Sequence, residues 1–248
     1  MSIQSLAIIL IALAFGAIVK GVTGLGLPLV AMPVLANFIG VQHAVAVMVL
    51  PGLASNTLLI HRQWAHARAM PELPALMIFG VVGAVIGTWG LSSLNEHLLS
   101  LAVAAMIALY LLLMVARPHA RISPRLSRVL TPVVGFGAGL IQGSTGISGP
   151  VIGTYLVAFR LEPAAYVFAA ACTFQAMAFV QLIALVWFGV LTLDRAVEGL
   201  IAVVPILIVV PIAARLTGRI SRRKFEIGLG AVLIALGGRL ALKGIWGV

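Results

Sequence analysis

Long apolar stretches recur along the whole chain, and they constrain the fold more than any other feature of the sequence. Of the 248 residues, 62% are hydrophobic and only 9% are charged, whereas about a quarter of the residues of a soluble domain are charged. A stretch of about 18 apolar residues can cross a hydrocarbon core about 30 Å thick. Because lipid offers the backbone no hydrogen bonds, each crossing segment is predicted to be a helix. The stretches lack the polar–apolar alternation of membrane β-barrels, so the sequence predicts an all-α polytopic transmembrane helical bundle.

Six of the apolar segments are uninterrupted and two are broken. The uninterrupted segments are predicted to be single transmembrane helices at 43–60, 72–91, 98–116, 164–187, 197–214 and 225–243. Segments 3–39 and 130–159 are interrupted by glycine, threonine, serine and proline. As one helix, segment 130–159 would be about 45 Å long, which exceeds a single crossing. Each broken segment is therefore predicted to be a hairpin of two helical pieces, either re-entrant or fully crossing.

The formal charge of +10 comes from basic residues in short loops between the apolar segments. This distribution follows the positive-inside rule and does not indicate a nucleic-acid partner. Placing the arginine-rich loops 61–68, 117–128 and 215–224 in the cytoplasm puts both termini outside. It also makes segment 130–159 begin and end on the same side of the membrane. The sequence thus predicts a multi-pass protein of a bacterial cytoplasmic (inner) membrane, surrounded by the lipid bilayer.

The two broken segments are copies of one motif. Residues 20–28 (KGVTGLGLP) align with residues 142–150 (QGSTGISGP) at a constant offset of 122, with identity at four of nine positions. The offset is close to half the chain, and the basic loops fall at different places in the two halves. The sequence therefore predicts two inverted repeats, 1–122 and 123–248, each a glycine/proline-broken helical hairpin followed by three transmembrane helices. Inverted repeats are common in secondary transporters.

The two breaks have the composition of an anion-binding site. Proline suits the first turn of a helix, so a second helical piece is predicted to begin near Pro28 and near Pro150. A helix N-terminus offers free amides and about half a positive charge, and glycine lets a ligand approach the backbone. Hydroxyl groups, an amide and one ammonium group flank the breaks. The predicted substrate-binding residues here are Lys20, Gly21, Thr23, Gly24, Gly26, Gln142, Gly143, Ser144, Thr145, Gly146, Ser148 and Gly149.

Two polar residues inside uninterrupted segments, Asn56 and Gln175, are also predicted to be site residues because they occupy similar places in the two halves. For both, hydrogen bonding between helices is the alternative interpretation. For Lys20 the alternative to a ligand role is snorkelling to the interface. The pattern of small residues at 83–87 is interpreted as helix packing rather than as a binding site.

Titratable side chains are placed at the ends of the predicted spans. His43 is interpreted as interfacial, and Asp194 and Glu198 are interpreted as solvated residues beside an outer loop. No carboxylate is therefore placed inside a span, where carriers usually hold the carboxylates of a proton relay. This predicts anion movement driven by the membrane potential, with any proton travelling on the substrate.

The motifs at 20–26 and 142–150, together with the near-equal halves, resemble the sulfite exporter TauE/SafE family of membrane proteins. The resemblance covers essentially the whole chain. It implies a transporter of sulfur-containing anions such as sulfite, sulfonates or sulfoacetate. Because Lys20 in the first copy corresponds to Gln142 in the second, the two halves of the predicted site differ in charge.

The lead hypothesis is a secondary membrane transporter, not an enzyme, that moves a small sulfur oxyanion or organosulfonate. An anion channel is a second hypothesis, since the same site could conduct. An intramembrane serine hydrolase is a third, because Ser144 lies between glycines at 143–146, but a serine nucleophile needs a base. No cofactor and no metal site are predicted, and Cys172 is the single cysteine. The expected partners are a small anionic substrate and the bilayer, with a homodimer left open.

Overall fold

A computed structural model describes residues 3–23, 27–116, 122–215 and 222–247 of the chain, and the side chains at 4–20, 27–116, 122–123, 125–213 and 228–247. Over these residues the chain is helical and has no β-strand, which confirms the predicted all-α class. A short 3₁₀ turn (Trp64–His66) follows the third helix. The α-helices of the described residues are α1 (Ile3–Thr23), α2 (Leu27–Ile39), α3 (Val41–Arg62), α4 (Leu73–Ser93), α5 (Glu96–Ala116), α6 (Pro124–Thr145), α7 (Gly149–Val157), α8 (Pro163–Trp187), α9 (Leu193–Arg215) and α10 (Arg222–Trp246).

Six of these helices, α3, α4, α5, α8, α9 and α10, are long and apolar enough to cross a membrane. The shortest, α4 and α5, have 21 residues each and are therefore about 31 Å long, which matches a hydrocarbon core of about 30 Å. Each coincides, within a few residues at its ends, with one of the predicted uninterrupted segments. The chain is therefore a multi-pass membrane protein.

Each broken segment consists of a long helix followed by a short one. Helix α1 is followed by α2 with 13 residues, and α6 is followed by α7 with 9 residues. At 1.5 Å per residue, α2 is about 20 Å long and α7 about 14 Å. Both are shorter than the hydrocarbon core, so neither short arm can cross it as a single helix. The first break, at 24–26, lies outside the described residues.

The second broken segment folds back on itself. At its open end the amide of Ile122 donates to the carbonyl oxygen of Ala158 at 3.5 Å. Further along, the hydroxyl groups of Thr131 on α6 and Tyr155 on α7 are 2.6 Å apart. Helix α7 therefore runs back along α6, and the segment begins and ends at the same end of the bundle, as predicted.

The packing of the helices is consistent with two repeats. Matching the helices of the two halves in chain order pairs α1 with α6, α2 with α7, α3 with α8, α4 with α9 and α5 with α10. Helix α1 packs against α9 and α6 against α4, while α3 packs against α9 and α8 against α4. Replacing each helix by its match turns the α1–α9 contact into the α6–α4 contact and the α3–α9 contact into the α8–α4 contact. The α3–α8 and α5–α10 contacts each remain the same pair. The inverted orientation and the boundary between 1–122 and 123–248 remain predictions.

Helices α4 and α6 touch backbone to backbone along a seam of glycines. A Cβ at Gly83 would overlap the carbonyl oxygen of Phe136, and a Cβ at Gly139 would overlap that of Gly80. Such close approach is how small residues hold membrane helices together. The packing interpretation of 83–87 is confirmed. The seam fixes α6, and with it the second break, against the rest of the bundle.

Candidate functional site

The structure brings the two broken segments together around one cavity with an empty volume of about 650 Å³, including its open mouth. Its walls come from both broken segments and from α3 and α8. Ligand pockets are typically about 300–1,000 Å³ and mostly apolar, with a few convergent polar groups. Four polar side chains line this cavity: Lys20, Asn56, Gln142 and Gln181.

Lys20, near the end of α1, is the charged group of the cavity. Its side chain is only 4% exposed, so it does not snorkel to an interface. The ammonium group donates to Ser55 Oγ at 2.9 Å and to Asn56 Oδ1 at 2.5 Å. Both acceptors are neutral, and Lys20 has no carboxylate partner among the described residues. An unpaired buried charge is costly, so a bound anion would supply the compensation that the protein itself does not.

Helix α3 presents the partners of Lys20 on a face that also lines the cavity. Met48, Gly52 and Asn56 recur every four residues and all lie on the wall, because residues i and i+4 share one face of a helix. Ser55, which is adjacent, donates its hydroxyl to the carbonyl oxygen of Gly52 at 2.9 Å while accepting from Lys20. Asn56 is thus both a cavity residue and an interhelical hydrogen-bond partner.

On the second broken segment, Gln142 occupies the position that corresponds to Lys20. Its Oε1 accepts from the Ser148 hydroxyl at 2.7 Å, and its Nε2 is 3.4 Å from Gln181 Oε1. Gln181, on α8, donates to the carbonyl oxygens of Gln142 and Gly143 at 3.1 and 3.2 Å. These carbonyls belong to the last turn of α6, where a helix leaves acceptors unused. The arrangement ties the end of α6 to α8.

Gln181 is not among the residues predicted from the sequence. The sequence does contain one indication of its role, because Gln181, like Gln175, is a polar residue inside the predicted span 164–187. The sequence could not show that Gln181 faces the cavity while Gln175 does not. Gln175 instead donates to Thr57 Oγ1 at 3.1 Å, which is a hydrogen bond between α8 and α3.

The start of α7 points a helix N-terminus at the cavity. Gly146 adopts the left-handed conformation, with φ of 72°, and its amide closes α6 on the carbonyl oxygen of Gln142 at 2.8 Å. Pro150 follows at the second position of α7. Among the described residues, the amides of Ser148 and Gly149 have no hydrogen-bond partner. Gly146 and Gly149 both line the cavity, so this end offers donors and a partial positive charge to an anion.

The three hydroxyl groups of the second break hold its backbone. Ser144 donates to the carbonyl oxygens of Leu140 and Ile141. Thr145 donates to Ile141 O at 2.8 Å and accepts from the Ile147 amide at 3.2 Å. Of these contacts, the one between the Thr145 hydroxyl and the Ile147 amide satisfies a backbone donor beyond the end of α6, while Ser148 donates to the Gln142 side chain.

Of the residues predicted for the site, the structure therefore gathers Lys20, Asn56, Gln142, Gly146 and Gly149 on one cavity. The other predicted residues of the second half do not line this cavity, and Gly143, for example, packs against α4. A substrate contact for these residues stays a prediction. The remaining predicted residues lie outside the described part of the chain or have undescribed side chains: Gly21, Thr23, Gly24 and Gly26.

A model of the sulfite exporter TauE/SafE family matches residues 8–240 of the chain. The match covers nearly all of the helical bundle and both broken segments. The chain belongs to the sulfite exporter TauE/SafE family. Members of this family are membrane transporters of sulfite-type anions and not enzymes. Comparison with curated proteins and with solved structures gave no match.

One expectation about this TauE/SafE chain is wrong. Glu198 was expected to be solvated, but it lies on α9 and is only 2% exposed. Its Oε2 is 2.5 Å from Nε2 of His43, the third residue of α3. The cause is the packing of α9 against α3, which the sequence did not reveal. A carboxylate is therefore buried between two candidate membrane helices. Asp194 is exposed, as expected.

Proposed function

We propose that this TauE/SafE chain is a secondary carrier of a small sulfur oxyanion or organosulfonate across a bacterial cytoplasmic membrane. The observation that carries the proposal is the Lys20 ammonium group, which is buried on a cavity wall with only neutral hydrogen-bond partners. A cavity that holds one uncompensated positive charge favours a ligand with one negative charge.

The anion would lie between the two broken segments. Lys20 would provide the full charge from the first segment, and the amides of Ser148 and Gly149 would donate from the second. The three oxygens of a sulfite or sulfonate group are suited to several donors arriving from different directions. Because the donors are already fixed by the fold, binding needs little rearrangement of the protein. By the correspondence between the two motifs, Thr23 and the glycines of the first break, Gly24 and Gly26, would complete the site.

The rest of the cavity favours an organic tail. Its wall includes Met48, Val49, Phe174 and Ala178, which form no hydrogen bonds with an oxyanion through their side chains. Bare sulfite would leave much of this apolar surface in contact with water. A short alkyl group would cover it and gain about 0.8 kcal/mol for each buried CH₂. We therefore place organosulfonates ahead of sulfite as the preferred substrate.

A flux assay in proteoliposomes tests the proposal against its alternatives. We expect uptake of labelled ethanesulfonate to saturate and to be accelerated by unlabelled ethanesulfonate on the opposite side, as for a carrier. Sulfite should compete more weakly, and propionate, which has the same tail but a carboxylate head, should compete least. Unitary currents without stimulation from the opposite side would establish the anion channel instead. The mass of the detergent-solubilised particle separates a monomer from a homodimer.

The orientation of the carrier can be tested by labelling. In a Cys172→Ala background, an impermeant thiol reagent added to intact cells should label Asp194→Cys but not Arg62→Cys. Both residues are exposed, so access alone does not distinguish them. Labelling of Arg62→Cys in intact cells would show that loop 61–68 is external and would overturn the predicted topology.

A further inference from the structure

The contact between His43 and Glu198 is a second charged site, separate from the lining of the cavity. The Glu198 side chain is 3% exposed and that of His43 is 24% exposed. Among the acidic side chains that the structure describes, Glu198 is the only one that is buried. The contact joins the first turn of α3 to the second turn of α9, two helices that are each long enough to span the membrane.

The residues at the corresponding positions in the other half of the chain are uncharged. At the offset of 122, His43 corresponds to Ala165 on α8, and Glu198 corresponds to Leu76 on α4. Ala165 and Leu76 are both buried, with exposures of 4% and 0%, and α8 packs against α4 much as α3 packs against α9. Packing at this place therefore does not require an ionisable pair. A buried ionic pair is also weak evidence for stabilisation, since its desolvation cost offsets its attraction.

Helix α3 links this contact to the cavity. His43 is in its first turn, and Asn56, which holds Lys20, lies 13 residues further on, or about 20 Å along the helix. Pro51 lies between them and cannot donate to the carbonyl oxygen of Val47. Gly199, next to Glu198, faces that same oxygen, and a Cβ at Gly199 would be 3.0 Å from it. Helix α3 is thus held close to α9 near Pro51, and it carries cavity residues on both sides of that proline, among them Met48 and Asn56.

The charged and titratable groups on the elements packed around the contact are few. On α9, Asp194 is exposed and the Arg195 side chain donates to the carbonyl oxygen of Val190 at 2.7 Å. On α5, Glu96 accepts from the Val41 amide at 2.8 Å and is 3.4 Å from Lys243 of α10. The described residues of α2 include no titratable group. The others on these helices are His97 and Tyr110 of α5, Tyr166 and Cys172 of α8, Lys20 of α1, Arg215 at the end of α9, and His61 and Arg62 at the far end of α3.

We propose that His43 and Glu198 form a proton-binding site, and that the carrier moves one proton together with one monovalent anion. The inference rests on the proposed function and adds a co-substrate to it. Without the extra proton, a neutral imidazole donates to the carboxylate and the pair has a charge of −1. With the proton, imidazolium and carboxylate together have a charge of zero. No covalent bond other than the N–H or O–H bond of the bound proton forms or breaks.

The charges of the two sites explain why the proton and the anion would move together. When both sites are empty, Lys20 contributes +1 and the His43–Glu198 pair contributes −1. When both are occupied, each site is neutral. When only one is occupied, a net charge of one unit remains buried, which disfavours the conformational change that carries it across. Translocation with both ligands or with neither therefore gives a symport in which the proton neutralises the charge of the anion.

The experiment uses ethanesulfonate, which stays ionised near neutral pH and so cannot itself carry the proton. In proteoliposomes with the membrane potential clamped at zero, an inwardly directed proton gradient should drive wild-type accumulation that approaches about tenfold per pH unit. A potential without a pH gradient should drive none. In Glu198→Gln the pair cannot become negative, so the empty carrier keeps the net charge of Lys20. We therefore expect exchange of labelled for unlabelled ethanesulfonate to continue while accumulation driven by the proton gradient is lost. Asp194→Asn, the matched control on the same helix, should behave like the wild type.

A second variant keeps the test informative if Glu198→Gln does not fold. The double variant His43→Ala with Glu198→Leu introduces the residues found at the corresponding buried positions of the other half, Ala165 and Leu76, and we expect it to fold and to show the uncoupled behaviour of Glu198→Gln. Wild-type uptake that ignores the proton gradient, or a double variant that still follows it, would overturn the proton site while leaving the carrier intact. A wild type that neither takes up nor exchanges ethanesulfonate would overturn the proposed function, and the proton site with it.

Discussion

The two long arms of the broken segments, α1 and α6, correspond in sequence but are held in different ways. Helix α6 meets α4 through glycines, and a Cβ at Gly135 would be 2.8 Å from the carbonyl oxygen of Leu76. On α1 the corresponding residues are Leu13 and Ala17, in place of Gly135 and Gly139. Side chains therefore separate α1 from α9, where backbones touch between α6 and α4. Because a backbone contact leaves no room for adjustment, we interpret α6 as the fixed arm and α1 as the arm that can move.

The polar side chains at the two breaks also differ, and again the one on α6 is held more firmly than the one on α1. Gln142 on the fixed arm is held by Ser148 and Gln181, so it completes a hydrogen-bonded network of the protein. Lys20 on the other arm has neutral partners and an uncompensated charge. The comparison suggests that the second half provides the frame of the site and the first half provides the charge that responds to the ligand.

The glycine seam should give the largest effect. Gly139→Ala places a methyl group against the carbonyl oxygen of Gly80, and overpacking of this kind costs about 1–3 kcal/mol or more. Gly137→Ala on the same helix is the control, since a Cβ there has no neighbour within 4 Å. We expect a large loss of monodisperse protein and a lower melting temperature only for Gly139→Ala. Equal melting temperatures for the two variants would contradict a rigid second arm.

The second-largest effect is expected from removing the positive charge of α1, which should weaken substrate binding. Lys20→Gln makes the two arms alike, and a hydrogen bond to a charged group contributes about 1.5–3 kcal/mol, so ethanesulfonate affinity should fall roughly 10- to 150-fold. Lys20→Glu should abolish binding because it places a negative charge beside the anion. Arg62→Gln, at an exposed position, is the control. The measurement is ligand binding to folded protein in detergent, and wild-type affinity in Lys20→Glu would place the substrate elsewhere.

The partner of Lys20 should have a smaller effect. Asn56→Ala removes one acceptor from the ammonium group and leaves Ser55 in place, so we expect affinity to fall about fivefold, equivalent to about 1 kcal/mol. Gln175→Ala removes the α8–α3 bond to Thr57, away from the cavity lining, and should lower the melting temperature without changing affinity. The same titration of ethanesulfonate measures both. An affinity loss confined to Gln175→Ala would contradict the cavity as the binding site.

The smallest effect is expected for Thr145 on the fixed arm. Thr145→Ala removes the acceptor of the Ile147 amide, so we expect a loss of stability of about 1 kcal/mol with nearly unchanged affinity. A thermal-shift series with and without ethanesulfonate separates the two quantities. If stability is unchanged while affinity falls, the Thr145 hydroxyl contacts the substrate, as the sequence analysis predicted.

The sequence by itself determined the membrane class, the six spans and the division of each broken segment into two helices. These features depend on local composition, because an apolar stretch crosses lipid as a helix whatever its neighbours are, and glycine with proline ends a helix locally. The resemblance at the two motifs was likewise readable without coordinates.

The tertiary structure alone decided which polar residues meet. Lys20 and Asn56 are 36 residues apart, and His43 and Glu198 are 155 residues apart. Whether a polar side chain in an apolar helix faces lipid, a neighbouring helix or a cavity depends on the rotation of that helix and on what packs beside it. Hydropathy does not specify the rotation of a helix. Gln181 is therefore absent from the residues predicted from the sequence, and Glu198 was wrongly predicted to be solvated. The offset of 122 located the two breaks, but only the packing showed that one arm is fixed by a glycine seam and the other is not.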